Sequence, residues 1–348
     1  MASRKSKKTY NPLLPAPPLP TFGTVPIIPH NLSIVFRLSR PRTWVFPSIS
    51  FLLGYSLAGW GPLSQIGLGL AVACLVTAAT NIVNAYADRR EDAVNQPSRV
   101  FWIDRMGPRG ALASSIILYG SAIALSIYLG PLFILVLGLG IFNSLFYSLP
   151  PLRFKAKPFP SLISFSGAVG LAFLSGLAVR GSLDLYNPLF WLATYFMLTY
   201  GTVKNLPDYS GDKKAGTRTS ATIFQNIKDA ILFSGILLFT PYVLLVILIT
   251  TGLLGTIYVL DLGFAVILAF IFTRMWKAKT SQDLERAHTF GFFYAISFLL
   301  FTLVLTTPTL ESILVLLGAY IWTLLVSKVN IDSRIENRDW EKTRRRKQ

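Results

Sequence analysis

The chain has 348 residues, of which 52% are hydrophobic and only 14% are charged, and its mean hydropathy is +0.53. Ordinary soluble domains carry about 25% charged residues, so this chain has too few charges to cover a soluble surface. Its 33 Lys and Arg still outnumber its 16 Asp and Glu, which gives a formal net charge of +17. On a soluble chain this excess would indicate nucleic acid. On an apolar chain it indicates membrane topology or anionic substrates, so we expect no nucleic-acid partner.

Long uncharged stretches predict transmembrane helices, because about 20 mostly apolar residues span the hydrocarbon core of a bilayer. Six stretches fit one crossing each, namely 44–60, 62–87, 158–179, 185–203, 287–310 and 312–327. Two more, 110–152 and 230–273, are long enough for a helical hairpin each, and Gly130 and Pro131 interrupt the first of them. The sequence therefore predicts ten crossings, of which the last is the shortest.

The distribution of Lys and Arg tests this count, because the short cytoplasmic loops of membrane proteins hold an excess of them. With a cytoplasmic amino terminus, 32 of the 33 cations fall on the cytoplasmic side, and only Arg180 falls on the other. An odd number of crossings would place the basic carboxyl-terminal tail outside. We therefore expect an integral membrane protein with both termini and the loops after the even-numbered crossings in the cytoplasm.

The two ends of the chain differ from its middle. Residues 1–43 contain seven prolines between Pro12 and Pro29 and lack the apolar run of a signal peptide. They are predicted to be a basic cytoplasmic tail, which is either a disordered lead-in or an extended polyproline-like arm. Residues 44–327 are predicted to be the transmembrane domain, and 328–348 a second basic tail that touches anionic headgroups of the membrane lipid. Cys74 is the only cysteine, so the chain can form neither an internal disulfide nor a cysteine metal site.

Two pairs of carboxylates stand out on a chain with so few acids. Asp88 and Asp92 follow the second predicted crossing, and Asp208 and Asp212 follow the sixth. In each pair the acids are four residues apart, so on a helix they share a face and repel each other. Such a pair is favourable when a cation lies between its members, and Mg2+ prefers one or two carboxylates together with substrate phosphates. The sequence therefore predicts a Mg2+ site.

The two pairs are separated by the same offset of 120 residues. This spacing predicts an all-α bundle built as two four-helix repeats around a central cavity, with one Asp pair on the second helix of each repeat. Several cations flank the acids: Arg89, Arg90, Arg99, Arg153, Lys155, Lys204, Lys213, Lys214 and Arg218. The positive-inside rule alone accounts for cations in these loops. Cations interleaved with metal-binding acids are also what a diphosphate leaving group requires.

At these residues the sequence resembles the UbiA superfamily of intramembrane prenyltransferases. The first family motif, Asn-x-x-x-Asp-x-x-x-Asp, is matched by Asn84, Asp88 and Asp92, and the second, Asp-x-x-x-Asp, by Asp208 and Asp212. Three further segments are similar to family motifs: Arg40-Pro41 before the first crossing, the segment from Tyr147 through Arg153 to Lys155, and the segment from Gly211 to Thr219. The resemblance runs from residue 40 to about residue 230.

Members of this family usually have nine helices, so together with the ten predicted crossings we expect a bundle of nine to ten helices. The resemblance implies Mg2+-dependent transfer of a prenyl group from a polyprenyl diphosphate to a lipophilic acceptor. Asn84 would join the four aspartates as a metal ligand. Lys155 would assist loss of the diphosphate, and Tyr147 would shield the allylic cation, with Phe142, Phe146 and Tyr200 as further aromatic candidates. The diphosphate-binding residues would be Asn84, Arg40, Arg153, Lys204 and Arg218.

The acceptor is left open by departures from the family pattern. Many relatives carry acids where this chain has Ala85 and Asn205, and the loop after Asp92 is similar to that of chlorophyll synthase, homogentisate prenyltransferases and archaeal ether-lipid enzymes only as far as Arg99. We expect an aromatic or other ring-containing acceptor, with a glycerol-phosphate lipid or a carotenoid as the alternatives. A terpene cyclase of the same fold would need no acceptor. A transporter would use charged residues at the membrane midplane, and here the acids lie at the ends of the predicted helices.

Overall fold

The structure is a computed structural model that describes residues 30–328 except 90, 91, 94 and 95, and the side chains of residues 30, 31, 215 and 328 are also left undescribed. The described residues form thirteen α-helices and no strand. In chain order the helices are α1 (His30–Leu38), α2 (Val45–Ser56), α3 (Leu63–Ala87), α4 (Pro97–Met106), α5 (Pro108–Ser126), α6 (Pro131–Ser148), α7 (Pro158–Val179), α8 (Pro188–Lys204), α9 (Tyr209–Ala215), α10 (Ile227–Thr250), α11 (Phe264–Trp276), α12 (Ser281–Thr306) and α13 (Leu310–Lys328). Short 3-10 helices cover Pro41–Trp44, Ile127–Leu129, Phe154–Ala156 and Thr256–Gly263.

A helix occupies each of the ten predicted crossings. Eight of the helical segments among the described residues are long and apolar enough to span a membrane, and these include both members of the two predicted hairpins. The other two, α2 and α8, have 12 and 17 residues. The outward faces of the bundle are apolar, as lipid-facing surfaces require, with exposed residues such as Ile116, Ile163 and Leu314. The protein is therefore an integral membrane protein that crosses the bilayer several times, and its division into two four-helix repeats stays a prediction.

Proline and glycine set the helix boundaries. Five helices that pack in the bundle begin with a proline in the first turn, where the missing N–H has no helical partner to lose: α4, α5, α6, α7 and α8. Gly107 and Gly130 precede α5 and α6 with φ angles of 78° and 97°, a region that residues with a side chain rarely adopt. The predicted interruption at Gly130 and Pro131 is thus the turn of the first hairpin.

Helices α2 and α7 pack against each other at the centre of the bundle. A Cβ atom on Gly54 would lie 2.0 Å from the carbonyl oxygen of Phe173, and one on Gly176 would lie 2.1 Å from that of Phe51. The Ser50 hydroxyl donates a hydrogen bond of 2.8 Å to the Val169 carbonyl across the same contact. Four further helices surround this pair and contact α2 or α7, namely α3, α6, α8 and α12. A space remains between these six helices.

The last part of the predicted amino-terminal tail is helical. Within residues 30–43, α1 buries Ile34 and Leu38, each 1% exposed, against Ile82 and Ile103 of α3 and α4. Apolar side chains three to four residues apart make one face of α1 hydrophobic, and the sequence analysis did not predict this helix. The predicted extended arm at residues 1–29 and the basic tail at 329–348 lie outside the described residues.

Candidate active site

A cavity of about 340 Å³ lies between α2, α3, α6, α7, α8 and α12. Its charged lining residues lie at or beyond helix ends: Arg40, Arg42, Asp88, Asp92, Arg99, Lys155, Lys204, Asp208 and Asp212. Apolar residues from within the helices line the rest, among them Val72, Val76, Phe133, Val136, Val169, Leu171 and Met197. The cavity therefore has a charged end and an apolar interior, which suits a ligand with an ionic head and a hydrocarbon chain.

The first carboxylate pair continues the helical path of α3. Backbone hydrogen bonds run from Asp88 to Asn84 at 3.0 Å, from Asp92 to Asp88 at 2.8 Å and from Gln96 to Asp92 at 2.7 Å. Because residues four apart on such a path share a face, all four side chains line the cavity. Asp88 and Asp92 are only 6% and 5% exposed.

The second pair lies at the start of α9, after Pro207 has separated that helix from α8. The backbone N–H of Asp212 donates to the Asp208 carbonyl at 2.9 Å, so this pair is also one helical turn apart. Both residues line the same cavity as the first pair, and Asp212 is 9% exposed. Gly216 ends α9 with a φ of 73°, and Thr217 and Thr219 beyond it also line the cavity.

Each acid of the first pair is bound by a base. The Lys155 ammonium forms an ion pair with Oδ1 of Asp88, and Nη1 of Arg99 lies 2.9 Å from Oδ2 of Asp92. Nη2 of Arg99 donates to the carbonyl oxygen of Asn81 at 2.9 Å and to Oδ1 of Asn84 at 3.4 Å. Lysine and arginine thus provide positive charge beside these carboxylates.

The electrostatics of the charged end fit a divalent cation. Burial raises the pKa of the Asp92 carboxyl to about 7. The neighbouring Arg99 lowers this pKa and Asp88 raises it. Smaller effects come from Lys155, which lowers it, and from Asp208, which raises it. Asp208 is therefore near enough to act on the first pair, and bound positive charge would relieve the repulsion. Within the described part of the chain, no three acidic, histidine or cysteine side chains converge on one point as ligands of one ion. The residues that would hold divalent metal ions are the two Asp pairs, whose carboxylates are the oxygen donors that Mg2+ prefers.

Tyr147 and Lys204 contact each other in the cavity lining. Nζ of Lys204 donates to the phenolic oxygen of Tyr147 at 2.9 Å and lies 4.4 Å from the centre of the Phe165 ring. All three residues line the cavity. Aromatic faces attract positive charge, and the Lys204 ammonium also lies 5.1 Å from the centre of the Tyr147 ring.

Arg40 and Arg153 share an unusual backbone conformation. Their φ angles are 50° and 38°, in the left-handed region, which costs residues with a side chain about 1–3 kcal/mol and recurs at functional sites. Arg40 lines the cavity, whereas Arg153 and the exposed Arg218 lie outside its lining. Their predicted contact with a diphosphate stays a prediction.

The remaining predicted aromatic residues separate into two groups. Tyr200 is 2% exposed and lines the cavity, where its ring stacks on His288 at 6.2 Å. Phe142 is 50% exposed and packs on Phe146 outside the cavity lining, so a lipid-facing position accounts for this pair.

Two family positions at which this chain differs have distinct surroundings. Ala85 is 1% exposed in the apolar cluster that α1 covers, where a carboxylate would be buried without a partner. Asn205 lines the cavity and donates a hydrogen bond of 2.9 Å to the Ser220 hydroxyl.

Arg42, Gln96 and His288 line the cavity but were not singled out by the sequence. Arg42 lies 4.2 Å from the centre of the Phe292 ring and is 8% exposed. The only sequence signal for Arg42 was its place two residues after Arg40. His288 had none, because it lies far along the chain from every motif and reaches the cavity only through the packing of α12 against α2.

Comparison with known proteins identifies relatives that carry the same fold. The sequence profile of the UbiA prenyltransferase family matches residues 45–297. Digeranylgeranylglyceryl phosphate synthase of Halobacterium salinarum is 30% identical over 185 residues, which cover 53% of this chain and 66% of that protein. Lycopene elongase/hydratase of Haloarcula japonica is 30% identical over 221 residues, 59% of this chain and 73% of that protein. The chain thus spans slightly less than two thirds of the first of these relatives.

Two solved structures are similar to most of the chain. A UbiA homolog from Archaeoglobus fulgidus, bound to GPP and Mg2+, has a TM-score of 0.62 and 21% identity, with 78% of this chain and 99% of that chain covered. A structure of a digeranylgeranylglyceryl phosphate synthase has a TM-score of 0.60 and 18% identity, with 81% and 100% covered. At these identities the likeness establishes the fold. With the profile match over most of its length, the chain belongs to the UbiA prenyltransferase family.

Proposed function

We propose that this protein transfers a prenyl group from a polyprenyl diphosphate to a lipophilic acceptor in a Mg2+-dependent reaction that releases diphosphate. One observation carries the proposal: both Asp pairs line a single cavity whose interior is apolar. The ionic head of a prenyl diphosphate matches the charged end, and its hydrocarbon chain matches the apolar interior. Membership of the family supports the reaction type.

The four aspartates and Asn84 are the proposed metal ligands. Bound Mg2+ would neutralise the diphosphate and stabilise it as a leaving group. Lys155 forms an ion pair with Asp88 in the structure and would add positive charge beside a bound diphosphate. Arg40 and Lys204 add positive charge at the same end of the cavity, and we assign them to diphosphate binding with Asn84.

The bond changes balance without an oxidant or reductant. The carbon–oxygen bond of the allylic diphosphate breaks, and its electron pair leaves with the diphosphate. A lone pair or π electrons of the acceptor form the new bond to the allylic carbon, and the acceptor loses a proton. The apolar interior keeps water from the allylic cation, and the ring of Tyr147 offers its face to positive charge at the charged end.

The relatives shift the choice of acceptor away from the ring-containing compound expected from the sequence. Digeranylgeranylglyceryl phosphate synthases recur among the similar proteins, with 30% identity in Halobacterium salinarum and in Methanoregula boonei. We therefore propose a glycerol-phosphate lipid as the acceptor. A carotenoid is the second candidate, supported by the similarity to the lycopene elongase/hydratase of Haloarcula japonica.

The test is turnover by the purified protein in detergent with Mg2+, prenyl diphosphates of several lengths and each acceptor in turn. We expect a prenylated acceptor and one diphosphate per product, and loss of turnover in Asp88→Asn and Asp208→Asn. Asp104→Asn is the matched control, because Asp104 is an exposed acid paired with Arg89 and lies outside the cavity lining. A cyclised hydrocarbon formed without acceptor would instead identify a terpene cyclase. Near-normal turnover of either cavity variant would exclude the assigned metal site.

We also propose that the domain of residues 44–327 lies between two cytoplasmic basic tails. The proposal rests on the 32 cations that the predicted topology assigns to one side. In this orientation the Asp pairs would lie at the cytoplasmic side of the membrane.

A further inference from the structure

The carboxyl-terminal helix α13 meets the chain segment that carries Arg40. Nε1 of Trp322 donates a hydrogen bond of 3.0 Å to the carbonyl oxygen of Pro41, and its ring stacks on Trp44 with centres 5.8 Å apart and planes 22° apart. Helix α13 and residues 40–44 both lie outside the residues 45–297 that match the family profile. The contact therefore joins the Arg40-Pro41 segment to a helix that lies beyond the family profile.

The segment between α1 and α2 is held from several directions. Nε1 of Trp44 donates to the Ser39 carbonyl at 3.0 Å, and Nδ2 of Asn81 donates to the same carbonyl at 2.8 Å and to the Thr43 hydroxyl at 2.9 Å. These bonds come from the segment itself and from α3. From the carboxyl-terminal side of the chain, Phe292 of α12 contacts Arg42, and Trp322 of α13 contacts Pro41 and Trp44.

The segment needs this support because of its backbone. Arg40 adopts the left-handed conformation, with φ 50° and ψ 64°, and the next residue is Pro41. A residue with a side chain keeps this conformation only where its surroundings fix it. Arg40 and Arg42 both line the cavity, so a small rotation of the segment would move two cations relative to the Asp pairs.

We propose that Trp322 is a positioning residue for substrate binding: by fixing the Pro41 carbonyl and the Trp44 ring, it holds Arg40 and Arg42 in the cavity. The inference rests on the proposed function, since it assigns these arginines to an anionic group. Helix α13 is then a part of the binding site that acts through the Arg40 segment, in addition to crossing the membrane.

The test measures binding of geranyl diphosphate with Mg2+ to the full-length protein in detergent. Trp322→Phe removes the N–H donor and keeps an aromatic ring, and Trp322→Ala removes both. Loss of one hydrogen bond predicts a dissociation constant about three- to tenfold higher for Trp322→Phe. We expect a larger increase for Trp322→Ala. Trp191→Phe is the matched control, because Nε1 of the exposed Trp191 also donates to a backbone carbonyl, that of Leu185 at 2.8 Å, far from the cavity lining.

A double-mutant cycle separates positioning from general loss of structure. If Trp322 acts through the Arg40 segment, Trp322→Phe will raise the dissociation constant much less in an Arg40→Ala background than in the wild type. A purely structural role predicts the same relative increase in both backgrounds, with a lowered unfolding temperature, and would overturn the proposal. Wild-type affinity in Trp322→Phe and Trp322→Ala would also overturn it. If Trp322→Ala does not fold, the double-mutant cycle with Trp322→Phe still distinguishes a positioning role from a purely structural one. Failure of the wild-type protein to bind the diphosphate would instead contradict the proposed function.

Discussion

The Arg99 guanidinium bridges Asp92 to the backbone of α3, with 2.9 Å from Nη1 to the carboxylate and 2.9 Å from Nη2 to the carbonyl oxygen of Asn81. Both members of the ion pair are buried, with side chains 4% and 8% exposed. Arg99 thus fixes the segment that follows α3 while neutralising one acid of the first pair. Removing one partner of a buried ion pair leaves an uncompensated charge, which is far more costly than losing an exposed pair.

We therefore expect Arg99→Gln to destabilise the metal-free protein by about 3–5 kcal/mol. Arg89→Gln is the matched control, because the Arg89–Asp104 pair has side chains 42% and 41% exposed, and such surface pairs contribute about 0–1 kcal/mol. Thermal unfolding in detergent, with and without Mg2+ and inorganic diphosphate, measures both effects. Equal unfolding temperatures for the two variants would show that the Arg99 bridge does not stabilise the site.

Lys155 contributes to the site in a different way, since its partner Asp88 is a proposed metal ligand. We expect Lys155→Met to weaken binding of a prenyl diphosphate by about tenfold, the effect of losing one charge-assisted hydrogen bond, while the affinity for the acceptor changes little. Separate titrations of the two substrates measure the two affinities. A larger loss of acceptor affinity would place Lys155 in the acceptor site instead.

The contact between Lys204 and Tyr147 allows the hydroxyl and the ring to be tested separately. Tyr147→Phe removes the acceptor of the 2.9 Å hydrogen bond and keeps the aromatic face, whereas Tyr147→Leu removes both. If the ring shields an allylic cation, turnover will fall much further in Tyr147→Leu, by about tenfold more, than in Tyr147→Phe. Single-turnover rates with saturating donor make the comparison. Equal losses in the two variants would assign the effect to the hydroxyl and its contact with Lys204.

The sequence predicted the Asp pairs because their evidence is local. Acids four residues apart on an acid-poor chain indicate a metal site without any knowledge of how the helices pack. Both pairs line the same cavity in the structure. Arg99 and His288 could not be selected in this way, because their roles depend on which helices pack together. Arg99 was one of several loop cations, and the positive-inside rule accounted for all of them equally.

Two features of the fold also could not be predicted from the sequence: the packing of helix α1 and the contact that supports Arg40. Ile34 and Leu38 form an apolar face, yet that face is informative only once α3 and α4 are present to cover it. Trp322 is separated from Pro41 by 281 residues in the sequence, so only the folded chain shows their hydrogen bond. Crossings were predictable because the uncharged stretches that define them are local.

The proposed orientation can be measured with single cysteines. In a Cys74→Ala background, we expect a membrane-impermeant thiol reagent applied to intact cells to label Ser182→Cys and to leave Ser281→Cys unlabelled until the cells are lysed. Both positions are exposed, and they lie at opposite ends of crossings in the predicted topology. The reverse labelling pattern would show that the protein has the opposite orientation, with the Asp pairs on the outer side of the membrane.

The contact between α2 and α7 predicts a large difference between two Gly→Ala substitutions. A methyl group on Gly176 would meet the Phe51 carbonyl oxygen at 2.1 Å and the Tyr55 backbone nitrogen at 2.5 Å, so the two helices must move apart. Overpacking of this kind costs about 1–3 kcal/mol, and backbone atoms cannot rotate away as side chains can. Because α2 and α7 also line the cavity, we expect Gly176→Ala to lower substrate affinity as well as the unfolding temperature.

Gly138→Ala is the matched control for this contact. Gly138 lies inside α6, and a Cβ atom there meets no atom within 4 Å. Alanine loses less backbone entropy than glycine on forming a helix, so this variant should gain up to about 1 kcal/mol. Thermal unfolding of both variants under identical detergent conditions gives the comparison. If Gly176→Ala were as stable as Gly138→Ala, α2 and α7 would not approach as closely as described, and the cavity wall that they form would have a different shape.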